Sequence, residues 1–162
     1  MGTSGRFSQS HAIVPVTVDG DWNVGFSTDS IDMAAWGHCC FIVIGDTSVA
    51  GNAVITIMGG ATNAAETAAI TFTYRYAGAN VPAASADVYG AAATSASLTT
   101  TATSMDLRAT LFEFDHEDLN VSGVQYRWAT LVVSAAGTAG TCDIVAILSE
   151  PRFQQAINTT TL

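Results

Sequence analysis

The sequence predicts an all-β fold: an antiparallel β-sandwich, jelly-roll-like, entered by an extended N-terminal arm. Strict alternation is the first sign. In AITFTYRY (69–76), Ile70, Phe72, Tyr74 and Tyr76 fall on one side and Thr71, Thr73 and Arg75 on the other, as in a half-buried strand. HCCFIVIG (38–45) and CDIVAILS (142–149) are unbroken apolar runs bounded by turn residues, the pattern of central strands covered on both faces. Helical periodicity is confined to STDSIDMAAWG (27–37), where Asp29 or Ser30 caps a short turn and Gly37 ends it.

Taken in order, residues 1–20 read as an N-terminal arm. HAIVPVTV (11–18) is apolar, but Pro15 has no backbone donor, which confines it to an edge strand or an extended arm. The arm is expected to leave the sandwich and dock on a partner or a neighbouring subunit through Arg6, Phe7, Ile13, Val14, Pro15 and Val16. Residues 21–153 form the sandwich, with AVITIMG (53–59), ATLFEFD (109–115) and VQYRWATLVVSA (124–135) as further strands. GDTSVAGN (45–52) joins two strands. SAAGTAGT (134–141) reads as a hairpin loop in which Gly137 and Gly140 supply positive φ. Residues 78–104 are rich in Ala, Ser and Thr and nearly chargeless, which predicts a long loop or weak strands packed on something else. Residues 154–162 form a polar C-terminal tail.

Composition narrows the function. Charged residues are 12% of the 162, about half the usual share. The mean hydropathy is +0.33, much of it from Ala. A solvated monomer needs more charge than this, so part of the surface is expected to be covered by neighbours. The net charge is −9, and the five basic residues are Arg6, Arg75, Arg108, Arg127 and Arg152. Without a basic footprint, nucleic acid and anionic membranes are poor partners. No apolar run approaches a membrane span, and the N-terminus has no basic segment followed by an apolar one, so cytosolic synthesis is expected.

The stretch LFEFDHEDLNVSG (111–123) concentrates Glu113, Asp115, His116, Glu117 and Asp118. On a strand, Phe112 and Phe114 point to the core, while Leu111, Glu113 and Asp115 point away. His116 then opens a turn that Leu119 anchors. A carboxylate pair about 6–7 Å apart suits a divalent cation or a glycosidase, but it also describes any solvated strand end, which is the reading favoured here. No hydrolase, zincin, P-loop or dinucleotide motif is present, so no catalytic residue, cofactor or metal is expected. A zinc site from His38, Cys40 and Cys142 lacks a fourth ligand. Whether Cys142 pairs with Cys39 or with Cys40 is open at this level.

The order DSIDMAAWGHCCFIVIGD, AVITIMGGATNAAETAAITFTYRY, LFEFDHEDLNVSGVQYRWATLVVSAAGTAG, DIVAILSEPRF, over roughly residues 27–153, resembles the small all-β decoration (cement) or minor head proteins of tailed bacteriophages. The resemblance implies a non-enzymatic virion protein made in the host bacterial cytoplasm. It would bind the major capsid protein on the outside of the head and associate with its own copies, most naturally as a trimer. The resemblance carries no catalytic residues. The paired cysteines 39–40 and the segment 78–104 depart from its pattern. Other readings of the same sandwich are a tail, connector or head-fibre component, or a carbohydrate-binding module with Trp22, Trp36 and Trp128 as its platform.

Overall fold

A computed structural model describes residues 7, 10–46, 52–79, 86–101, 105–137 and 139–152. In chain order the strands are β1 (Ala12–Asp21), β2 (Phe26–Ser27), β3 (Ile31–Asp32), β4 (Trp36–Gly45), β5 (Val54–Gly60), β6 (Ala68–Ala69) and β7 (Phe72–Tyr76). They continue as β8 (Ala93–Ser95), β9 (Leu98–Thr99), β10 (Ala109–Asp115), β11 (Asn120–Val121), β12 (Val124–Gln125), β13 (Trp128–Val133) and β14 (Thr141–Pro151). Every pairing is antiparallel, so the fold is all-β as the sequence predicts. One sheet runs β1-β14-β4-β10-β7-β8. A second runs β2-β13-β5-β6, with β3 on β13 and β9 on β5, and β11 and β12 pair apart from both as a two-stranded ribbon.

The two sheets share one core, and alternation decides which side chains enter it. On β4 these are Cys39, Phe41 and Val43; on β10, Thr110, Phe112 and Phe114; on β14, Cys142, Ile144, Ala146 and Leu148. Register lines them up in rows: Phe112 beside Phe41 beside Ala146, and Phe114 beside Cys39 beside Leu148. From the second sheet Ile55 meets Val133 and Ile57 meets Leu131, all buried. Burying one such side chain is worth about 1.5–3 kcal/mol, so these rows dominate the stability.

Several local readings change. Residues 12–21 do not leave the sandwich as an arm: they pair with β14 along its length, from Ala12 opposite Leu148 to Asp21 opposite Thr141. The edge position tolerates Pro15, which sits opposite Val145 just before a register shift. Val16 is buried in the core and Val14 packs against it, which takes both out of the expected contact set. Arg6 and residues 153–162 lie outside the described residues.

The helical reading of 27–37 also fails. The Thr28 and Met33 amides donate to Leu131 and Arg127 carbonyls instead of to a helix. The Ser30 hydroxyl, a candidate cap, lies 2.7 Å from Thr130 Oγ1 and accepts from the Ala64 amide. Residues 69–76 are two strands in different sheets, β6 and β7. Residues 124–135 are likewise β12 and β13. Residues 134–141 join β13 to β14 across the sheets, so they form a crossover rather than a hairpin, although Gly137 and Gly140 have the expected positive φ. The Ala/Ser/Thr-rich segment supplies one weak strand to each sheet, β8 on β7 and β9 on β5. One glycine is required by close approach: a Cβ on Gly60 would collide with the Ala65 carbonyl oxygen.

Candidate functional site

The acidic stretch is built from β10 and the turn after it. Thr110, Phe112 and Phe114 face inward, and Asp115 ends the strand exposed. His116–Leu119 form a single 3-10 turn, fixed by the Asp118 carboxylate accepting the Asp115 amide at 2.8 Å and by the fully buried Leu119. A two-residue turn at Ser122 (φ 53) and Gly123 (φ 81) then joins β11 to β12.

The partner that sequence reasoning missed is His38. β4 places it opposite Asp115, with Nδ1 2.7 Å from Asp115 Oδ1 and Nε2 3.9 Å from Glu113 Oε1. His116 faces the other way, with Nε2 2.7 Å from an Arg152 nitrogen and Nδ1 buried without a partner. A shallow cleft of about 220 Å³ is lined by His38, Thr73, Glu113, Phe114, Asp115 and Asp118. A histidine against two carboxylates forms ion pairs when protonated. For nucleophilic chemistry the neighbouring thiol is poorly prepared, because burial and then the Glu113 charge push Cys40 up to about 12.

The cysteines do not meet. Cys39 lies opposite Leu148 and Cys142 opposite Gly45, at opposite ends of β4 on the core side, and all three thiols are free. Six residues of strand put them about 20 Å apart, beyond disulfide reach. The His38/Cys40/Cys142 set is therefore not assembled. Among the described residues, no group of three His, Cys, Asp or Glu side chains is placed to hold a metal ion. Of the proposed carbohydrate platform, Trp22 is fully buried, and Arg127 stacks over the half-buried Trp128 at 5.4 Å.

The larger feature is the outward face of the first sheet. The sequence predicts cover on both sides of HCCFIVIG and CDIVAILS; among the described residues the core side is buried, while the outward side is left half-buried to exposed. Outward stand Cys40, Ile42 and Ile44 on β4, Val145 and Ile147 on β14, and Leu111 on β10. β1 adds Ile13 and Pro15, both exposed. Register joins them into rows, Pro15–Val145–Ile42–Leu111 and Ile13–Ile147–Cys40–Glu113. Ile13 is 60% exposed and Ile44 45%. Tyr89 borders the β10 side: its hydroxyl is pushed up by burial first and then by the neighbouring Cys40. On β1, β14 and β4 the charge stands at the ends, Asp143 at one and His38 at the other, while across the β10 side Glu113 and Asp115 and, next to Leu111, Arg75 of β7 rim the face. Phe7, also in the expected contact set, is half exposed and stacks on His11 with ring centroids 4.1 Å apart.

No family model matches the sequence, and no curated protein matches it. Among solved structures, the crystal structure of SPBc2 prophage-derived protein YomS is similar, with a TM-score of 0.53 over 86% of this chain and 93% of that one. The two share 8% sequence identity, so the likeness is one of fold.

Proposed function

We propose that the protein is a structural component of a bacteriophage particle that binds the outer surface of the head as a decoration protein. The observation that carries this reading is the apolar outward face of the first sheet, a surface fit to be covered by other protein. The fold likeness to a prophage-derived protein and the order of sequence motifs support the same assignment. On this reading the chain is not an enzyme. It contacts the major capsid protein and its own copies. An acidic chain of net charge −9 stays off packaged DNA. No helix among the described residues is long and apolar enough to cross a membrane.

The test is to add purified protein to heads that lack it and image them by electron microscopy. Ordered density on the outer head surface, lost when Arg6 and Phe7 are replaced by Ala and Ile13 and Pro15 by Asp, supports the assignment. Density at the tail, connector or fibre, or no binding, overturns it.

A further inference from the structure

We infer that the outward face of β1, β14 and β4 is the contact between two copies of this chain, and that Ile13, Pro15, Ile42, Ile44, Val145 and Ile147 form its centre. This rests on reading that face as a protein-contact surface, and not on where in a particle the chain sits.

Charge selects the occupant. Copies carrying −9 each repel one another over most of their surface. The rows through Val145 and Ile147 on β1, β14 and β4 carry no carboxylate, so here two copies meet without that repulsion. The same face is its own complement: apolar rows meet apolar rows, while Asp143 at one end, Glu113 and Asp115 at the other and Arg75 beyond Leu111 remain at the rim. A face meeting itself closes as a two-fold pair. The edges offer less, since β1 carries Pro15 and register shifts and β8 is three residues long.

Area sets the strength. Three strands at about 4.8 Å spacing and seven residues at about 3.4 Å give roughly 340 Å² per copy in projection. Two such faces reach only the weak end of specific interfaces. The pair is therefore expected to dissociate on dilution through the micromolar range, and to need no capsid to form.

Sedimentation velocity of the full chain over a concentration series tests this. The parent is expected to move between monomer and dimer, and Ile44→Asp to weaken association at least tenfold. Val24→Asp and Val124→Asp, at exposed apolar positions away from this face, should leave it unchanged. Circular dichroism checks folding. If Ile44→Asp does not fold, Ile13→Asp on the exposed edge strand takes its place. A parent that is monomeric throughout, a trimer, or a dimer indifferent to both substitutions overturns the inference. Failure to bind heads would leave this result untouched.

Discussion

The two faces of β4 are nearly equal in apolarity and opposite in fate. Phe41 and Val43 are fully buried against the second sheet, while Ile42 is half-buried and Ile44 45% exposed on the other side. Hydrophobicity in a strand records that a face is covered, but not by what. Where the same chain supplies the cover, the face is core. Where the described residues leave it open, the face points to a partner.

The sharpest way to break this comparison is to truncate one residue on each face. Phe41→Ala removes a fully buried ring packed on Phe114 with centroids 6.0 Å apart, and is expected to cost about 3–5 kcal/mol in denaturant unfolding. Ile42→Ala, one residue along, should cost about 1 kcal/mol in the monomer and act mainly on association. Equal losses in dilute monomer would mean that the outer face is already covered within the chain.

The thiols sharpen the comparison through pH. Burial, followed by the nearby carboxylates Glu113 and Asp143, raises Cys40 and Cys142 from the ordinary 9.0 to about 12, and burial holds Cys39 well above its usual range. A thiol raised in this way ionises first in the unfolded chain. Stability should be full below about pH 9 and fall steadily as pH rises toward 12, by several kcal/mol in all (order of magnitude). Chemical unfolding measured from pH 7 to 11 checks this, and Cys39→Ala with Cys142→Ala should flatten the alkaline fall.

Smaller effects belong to the exposed ion pairs. Arg127 grips Asp32 through two hydrogen bonds, of 2.9 and 2.6 Å, and so holds the Asp32 carboxyl below its usual 3.8. That contribution is present above about pH 4 and is lost as pH falls through the depressed value. Solvent screening keeps it small, and Arg127→Ala should lower the melting temperature at pH 7 by no more than about 2 °C. Glu113→Gln with Asp115→Asn should leave stability within about 0.5 kcal/mol. A larger loss reproduced on the parent by a chelator would reveal a bound cation.

Much of the architecture was legible because it is local. β10 alternates with period two, and the Phe112 and Phe114 placements, the turn at His116 and the Leu119 anchor follow from that alone. The His38–Asp115 contact was not legible, since it depends on the register of β4 against β10, which tertiary packing sets. The sheet change between β6 and β7 is invisible in sequence for a different reason: Ile70 and Phe72 are both buried, so the alternation runs through the crossing unbroken. Gly/Ala/Thr loops serve hairpins and crossovers equally, which misplaced 134–141. The arm reading failed for residues 12–20 because Pro15 fits an edge strand as well as a detached one. That the cover of the outer face is not found among the described residues was not legible, because apolar residues carry no mark of which chain covers them.

Hydroxyl-radical footprinting of the parent protein at high and low concentration tests the central claim most directly, because it reads cover residue by residue. Ile13, Ile42, Ile44 and Val145 are expected to be protected at high concentration and to become reactive on dilution, while the exposed Val24, Val88 and Val124 react alike throughout. If the four outer-face residues react in step with those valines at every concentration, that face is left open to water and the account is contradicted.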